Sequence, residues 1–142
     1  MAQRSIDDLT REECFQLLRL QHVGRLVYDD EAGPLAIPVN FATAGESVVF
    51  RLEPGNAALP LTRPTMAFEV DDLDDSDGSG WSVLVRGSAR LVPMDDVPAL
   101  LREMEAGPPR PWAEGVHSVW VRLTAQAVTG RRLTGYETPL VM

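Results

Sequence analysis

The sequence predicts a mainly β protein, a small antiparallel barrel of six or seven strands with two peripheral helices. Short segments with an apolar residue at every second position recur along the chain, as is typical of strands that are buried on one face. The connections are short, and strands and helices do not alternate regularly, so a parallel sheet is not expected. With 142 residues, the chain is predicted to form a single domain that spans 1–142, with arms at 1–8 and 134–142.

The composition excludes several classes of function. A net charge of −8 argues against a general affinity for nucleic acid or for an anionic membrane, and no segment is apolar for long enough to span a bilayer. All 13 basic residues are arginines, so no lysine is available for a Schiff base with pyridoxal phosphate. Cys14 is the only cysteine, which excludes an intrachain disulfide; since the N-terminus also has no apolar leader, we expect a cytoplasmic protein.

The first predicted element is a helix over residues 11–20. Thr10 and Glu13 have the spacing of a capping box, and apolar residues follow at helical intervals. We expect this helix to cover one end of the barrel. Because no base lies near Cys14 in the sequence, this cysteine is interpreted as a buried hydrophobic residue rather than a nucleophile.

A strand over residues 22–28 leads through an acidic turn into a predicted hairpin over residues 34–56. Residues 44–46 supply its tight turn, and apolar residues alternate along both of its strands. Pro38 lies inside the first of these strands, where it cannot donate a hydrogen bond to a neighbour. We therefore expect the backbone there to face something other than a strand. Arg51 interrupts the otherwise apolar second strand.

The second half of the chain continues the strand pattern and adds a second helix. Gly87, near the centre of the longest segment, predicts a bulge or a bend. The acidic run 71–78 lacks the ligand spacing of a calcium loop and is interpreted as a solvated loop. Arg25, in the strand before the hairpin, is expected to form a structural ion pair. The remaining predicted elements are strands at 65–70 and 80–93, a helix at 96–105 with its apolar stripe at Val97, Leu100, Leu101 and Met104, a stiff connector at 108–112, and a closing strand at 116–133 that could bend at Thr124.

No set of residues by itself predicts a catalytic centre. The chain has no G-x-S-x-G motif and no glycine-rich nucleotide fingerprint, and Cys14, His22 and His117 lack the spacing of metal ligands. We therefore predict no metal site and leave the catalytic residues open. A protein with so few acid–base groups is best suited to chemistry that a cofactor supplies. Residues 53–56 can offer backbone N–H groups to an anion beside Arg51; the alternative is a plain turn next to a solvent-exposed arginine.

Several short motifs follow one another in a distinctive order. They are PVNF at 38–41, VVFR at 48–51, a Pro-Gly loop at 54–55, AFEVDD at 67–72 and GWSVLVRGSARLV at 80–92. In this order they resemble the pyridoxamine 5′-phosphate oxidase-like flavoproteins, especially the small single-domain subgroup from high-GC bacteria. The resemblance spans residues 9–133. It implies the FMN-binding split-barrel fold and a homodimer with the cofactor at the subunit interface.

The resemblance also implies which residues bind the cofactor. The flavin ring is expected along the main chain of residues 38–41, and the FMN phosphate on Arg51. Relatives carry Ser-Lys after the loop glycine, where this chain has Asn-Ala at 56–57. Trp81 is the candidate for a contact on the interface side. The full set of implied cofactor-binding residues is Pro38, Val39, Asn40, Phe41, Phe50, Arg51, Asn56 and Trp81.

Two functions are consistent with these features. The first is an FMN-dependent oxidoreductase that moves electrons from a reduced nicotinamide to a small molecule. The second is a non-enzymatic or differently loaded split barrel that binds haem, a deazaflavin or another small ligand, with His22 or His117 as the candidate haem ligand. Pyridoxamine phosphate oxidase activity itself is not expected, because the chain lacks the C-terminal arginine–histidine pair that binds that substrate.

Overall fold

The computed structural model describes residues 4–53, 65–104, 107–109 and 119–135. Within this part of the chain, seven strands and two α-helices form one folded unit, and a short 3₁₀ turn at Met94–Asp96 precedes the second helix. In chain order the elements are β1 (Ser5–Asp8), α1 (Arg11–Leu18), β2 (Val23–Asp30), β3 (Gly33–Ala44), β4 (Ser47–Leu52), β5 (Thr65–Leu73), β6 (Gly80–Leu91), α2 (Val97–Glu103) and β7 (Val119–Thr134).

The seven strands form one antiparallel sheet that closes on itself. Their order is β1-β7-β4-β3-β2-β5-β6, and an additional pairing of β6 with β7 completes the barrel. The predicted fold class, a mainly β antiparallel split barrel with peripheral helices, is therefore confirmed. None of the described helices is long and apolar enough to cross a membrane.

The interior of the barrel is filled by the alternating apolar residues that the sequence predicted. Phe41, Phe50 and Phe68 meet at its centre, with ring centroids 5.0 Å apart for Phe41 and Phe68 and 5.9 Å apart for Phe50 and Phe68. All three side chains are almost fully buried. Each contributes roughly 1.5–3 kcal/mol through its removal from water, so this cluster is a main source of stability.

Helix α1 closes one end of the barrel, as predicted. Thr10 accepts a hydrogen bond from the Glu13 backbone N–H, and the Glu13 side chain accepts one from the Thr10 N–H, which confirms the capping box. The helix ends at Leu18, two residues before its predicted end. Cys14 is fully buried, and burial raises the pKa of its thiol, as expected for a structural cysteine. Its Sγ lies so close to the backbone of Gly130 that a Cβ there would approach it to 2.6 Å.

Helix α2 covers the outer face of β3, β4 and β7 and forms a second apolar cluster. The cluster explains why Val49 is fully buried although its side chain points away from the barrel interior. Leu101 was predicted to belong to the apolar stripe, but it is 40% exposed, because the short helix turns only one narrow face to the sheet. The members of this cluster are Ala42, Ala44, Val49, Val97, Leu100, Met104 and Trp120.

The N-terminal segment and the long strands β6 and β7 differ in part from the prediction. Residues 5–8, predicted as part of a free arm, form β1 and pair with β7, so the prediction was wrong for these residues. Their sequence, SIDD, has no apolar alternation, because all four side chains are exposed and main-chain hydrogen bonds hold the strand. The closing strand β7 runs without interruption through Thr124. The register between β6 and β7 shifts between Arg86 and Gly87, which confirms an irregularity at the predicted position. The extra residue, Gln126, lies on β7, between the partners of these two residues.

Candidate functional site

The barrel opens between β3 and β4. The ladder between these strands pairs Phe41–Ala44 with Ser47–Phe50 and ends there, although β3 begins at Gly33 and β4 continues to Leu52. Over Gly33–Asn40, β3 pairs with β2 alone within the described part of the chain. The opposite backbone edge of β3 therefore has no strand beside it in that region.

Pro38 lies on this open edge of β3. The backbone N–H of Phe41 donates to the carbonyl oxygen of His22 at 2.9 Å, which makes residues 22 and 41 a hydrogen-bonded pair. Because such pairs alternate along an antiparallel ladder, Pro38 and its partner Arg25 form a pair without hydrogen bonds between them. The proline nitrogen thus points to the open edge, where its missing N–H costs the β2–β3 ladder nothing. Among the described residues no strand pairs with that edge, which agrees with the expectation that the backbone there faces something other than a strand.

A cavity of about 610 Å³ lies where the two strands separate. We call it the split cavity. Its walls come from the end of α1 and the turn after it, from the C-terminal part of β3, from β4, and from the segment that follows α2. The described residues that line it are Leu18, Arg19, Gln21, His22, Asn40, Phe41, Ala42, Thr43, Arg51, Gly107, Pro108 and Pro109.

The charge of the split cavity is opposite to that of the protein. Arg19 and Arg51 line it together with His22, while none of its described lining residues is Asp or Glu. The protein as a whole carries a net charge of −8. A concave site that is locally cationic on an acidic protein concentrates anions by focusing the field, so the split cavity is suited to an anionic ligand.

Arg51 is held in place by an aromatic ring and still has an unused donor. Its guanidinium carbon lies 4.9 Å from the centroid of the Trp120 ring, a cation–π contact. Its Nε is buried, and no described residue accepts a hydrogen bond from it. Since a buried donor without a partner is costly, the site favours an acceptor that enters from the cavity. A phosphate or carboxylate oxygen has the required chemistry.

The structure brings some of the predicted residues to this cavity and places others elsewhere. Asn40, Phe41 and Arg51 line it. Phe41 is buried on the barrel side, as are Val39 and Phe50, so these three residues can face a ligand through main-chain atoms alone. Pro38 lies two residues before Asn40 and borders a separate cavity of about 250 Å³.

Three further residues from the sequence prediction are not at the cavity or lie outside the described residues. Trp81 is 7% exposed and packs in the barrel core, and it does not line the split cavity. Trp81 was the candidate for a contact on the interface side because it lies on the long strand, whereas the alternation of that strand turns its side chain into the core. Asn56 and His117 lie outside the described residues.

The sequence did not show that residues after α1 and residues after α2 line the same cavity. Arg19 and Gln21 follow α1, and Pro108 and Pro109 follow α2, yet all four line the same cavity. These residues are far apart in the sequence and carry no shared motif. The only available signal was the helix cap at Thr10, which correctly places α1 at a barrel end but does not show which strands its last turn meets.

A charged cluster lies on the outer face of β2 and β5, beside Pro38. Arg25 Nη1 donates to Glu69 Oε2 at 2.9 Å and to Asp71 Oδ2 at 3.0 Å, which confirms the predicted structural ion pair. Burial, and then the neighbouring Asp71 carboxylate, raise the pKa of Glu69 to about 7, against the opposing effect of Arg25. The cluster is therefore close to a change of charge at neutral pH.

Comparison with known proteins agrees with this geometry. The family model described as pyridoxamine 5′-phosphate oxidase matches residues 10–132. The chain belongs to this family. An uncharacterized protein of Mycobacterium tuberculosis is 29% identical over 136 residues, which cover 92% of this chain and 87% of the relative.

Solved structures of related proteins share the fold. The FAD-binding protein of Mycobacterium smegmatis is 31% identical, with a TM-score of 0.72, over 92% of this chain and 100% of that one. A FAD-binding protein of Mesorhizobium loti has a TM-score of 0.75 at 20% identity, over 93% of this chain and 99% of that one, and shows likeness of fold alone. The family and the split-barrel architecture of this flavin-binding group are thus shown for the chain.

Proposed function

We propose that this member of the family binds FMN in the split cavity and acts as a flavin-dependent oxidoreductase. The observation that carries the proposal is Arg51. Its cation lies over Trp120, and its buried Nε lacks a protein acceptor among the described residues, in a cavity whose described lining contains no carboxylate. A flavin phosphate supplies the missing acceptor and the opposite charge.

The fit of the residues to a flavin extends beyond the phosphate. The open edge of β3 over Gly33–Asn40 offers backbone N–H and C=O groups that no described strand uses. An isoalloxazine ring carries donors and acceptors along one edge and an apolar face, so it matches such a strand edge beside Pro38. We propose that the ring lies there, with Asn40 between the ring and the phosphate on Arg51.

The contribution of this chain to the chemistry is binding and orientation. A bound flavin supplies hydride and electron transfer, for which we propose a reduced nicotinamide as the donor and a small molecule as the acceptor. Arg51 neutralises the phosphate, and the Pro108–Pro109 wall and α1 limit access of water to the cavity.

The predicted dimer is part of the same proposal. Val23 is 47% exposed, and Pro38 and Ala36 are exposed next to it on the outer face of β2 and β3, at the open edge. We propose that a second copy covers this face in the cytoplasm and completes the ring site. Light scattering coupled to gel filtration would return twice the monomer mass of 15.6 kDa.

FAD and haem are the alternative ligands. The FAD-binding relative from Mycobacterium smegmatis and the second arginine of the cavity, Arg19, favour a ligand with a further phosphate. His22 at the cavity wall could ligate a haem iron. Deazaflavins share the ring shape and an anionic tail, and they fit the same walls.

The absorbance spectrum of the purified protein, followed by titration of the ligand-free form, tests these proposals. We expect a flavin spectrum and saturable quenching of FMN fluorescence at micromolar concentrations or below. Tighter binding of FAD than of FMN would transfer the proposal to the dinucleotide, and a Soret band lost in His22→Ala would transfer it to haem. Absence of binding for every one of these ligands at tens of micromolar would overturn the proposed function.

A further inference from the structure

Arg122, on the outer face of β7, connects three elements of the fold. Its Nε donates to Ser47 Oγ at 2.8 Å, and its Nη2 donates to Glu103 Oε2 at 2.7 Å. Ser47, the first residue of β4, is 1% exposed and donates in turn to the carbonyl oxygen of Ala44. Glu103 is the last residue of α2. Arg122 therefore ties the C-terminal end of α2 to the hairpin formed by β3 and β4.

The end of α2 that Glu103 anchors lies only a few residues before the segment 107–109 in the wall of the split cavity. Met104 packs in the outer cluster, and Gly107, with φ of +86°, is followed by Pro108 and Pro109 in the cavity wall. Helix α2 has seven residues, and a helix of this length is not stable by itself. Its position thus depends on its contacts with the sheet, of which the Arg122–Glu103 pair is charge-assisted.

The same helix also supports Arg51. Leu100 and Met104 of α2 belong to the cluster that buries Trp120 to 8% exposure. Trp120 is the register partner of Arg51 across β4 and β7, and its ring lies under the Arg51 guanidinium. A continuous series of contacts therefore runs from Arg122 through α2 and Trp120 to the cation of the cavity.

We propose that Arg122 is a positioning residue for the anion site: through Glu103 it holds α2 on the sheet and so keeps Trp120 and Arg51 in the arrangement that receives a phosphate. The proposal rests on the proposed function in taking the ligand to be a flavin phosphate, whereas the contacts from Arg122 to α2 do not depend on any ligand. The Glu103 side chain is 47% exposed, so its ion pair contributes little to global stability. Its effect is expected to be local.

The test compares Glu103→Gln and Arg122→Met with the control Glu46→Gln in the full chain. Glu46 forms an ion pair of the same length, 2.7 Å, but its partner is Arg11 of α1 and not a residue of α2. For each protein, the dissociation constants of FMN and of riboflavin are measured, together with amide hydrogen exchange of α2 in the flavin-free state. Riboflavin lacks the phosphate and reports on the ring site alone.

We expect Glu103→Gln to weaken FMN binding roughly threefold to tenfold, with riboflavin binding little changed, because the loss concerns the phosphate cation. Amide exchange at Leu100–Met104 should accelerate in both variants and not in the control. Arg122→Met should have a larger effect, and Glu103→Gln keeps the test open if removal of Arg122 prevents folding.

Two results separate the failure of this inference from that of the proposed function. If the wild-type protein binds neither flavin, the proposed function fails, and amide exchange alone decides whether Arg122 positions α2. If the wild-type protein binds FMN but Glu103→Gln matches Glu46→Gln in both affinity and exchange, the positioning role is overturned. Equal losses for FMN and riboflavin would also overturn it, because they would show a general loosening of the cavity.

Discussion

The two faces of the β3–β4 hairpin differ in what their side chains do. The inward face carries Val39, Phe41 and Phe50, which pack in the barrel core without a polar group between them. The outward face carries Arg51, whose guanidinium lies over the Trp120 ring near the end of β4. It also carries Ser47, whose buried hydroxyl lies at the start of the same strand. One strand pair thus supplies the barrel core on one side and, on the other, the cation of the split cavity beside the apolar cluster under α2. This arrangement predicts that core stability and ligand affinity can be changed separately.

The largest expected effect comes from Phe68 of β5, whose ring packs against the inward face of the hairpin. Phe68→Ala removes the ring that contacts both Phe41 and Phe50, and it should lower the free energy of unfolding by about 3–5 kcal/mol. Urea unfolding followed by circular dichroism measures this loss. The molecules that remain folded should bind FMN with nearly the wild-type affinity. A parallel loss of affinity in folded protein would show that the core and the cavity are not independent.

Trp120 of β7 lies beside Arg51 of the outward face, and Trp120→Leu should change the affinity for the ligand. Leucine keeps an apolar surface for α2 but removes the ring beneath Arg51, so FMN affinity should fall by about twofold to fivefold through the lost cation–π contact. Fluorescence titration measures the affinity. Tyr28→Leu, a substitution of a partly buried aromatic residue that packs against the barrel core, is the matched control and should leave affinity unchanged.

A smaller effect is expected at the outer cluster of Arg25, Glu69 and Asp71. The pKa of Glu69 is raised to about 7 in the folded protein, above its ordinary value of 4.5, so the folded state binds the extra proton between these pH values. Stability should therefore decline as pH rises from about 4.5 to 7. Glu69→Gln should flatten this decline in thermal unfolding scans at pH 5, 6 and 7. An unchanged slope would assign the titration to another group.

Most of the fold could be predicted because its signals are local. The alternation along β3 and β4, the cap formed by Thr10 and Glu13, and Gly87 beside the register shift each act through neighbouring residues or backbone geometry. β1 could not be predicted, since its four exposed side chains contain no pattern and its partner β7 lies more than a hundred residues away in the chain.

The candidate site was predictable only in part, for a related reason. Arg51 and Pro38 stood out because each breaks a rule of the strand that contains it. Arg19 breaks no such rule, and it reaches the cavity only because α1 packs on the barrel end. Trp81 follows the strand rule and is accordingly buried in the core. Residues that depart from the pattern of their own strand thus indicate the site in the sequence. The residues of its other walls can be identified only from the tertiary structure.

The most direct measurement of the central proposal is the affinity of Arg51→Gln for FMN and for riboflavin, with Arg86→Gln, an exposed arginine of β6, as the control. Loss of a charge-assisted hydrogen bond of about 1.5–3 kcal/mol predicts that FMN binds roughly ten- to a hundredfold more weakly, while riboflavin affinity and urea unfolding stay unchanged. Unaltered FMN affinity, or equal losses for both flavins, would contradict the assignment of Arg51 as the phosphate-binding residue.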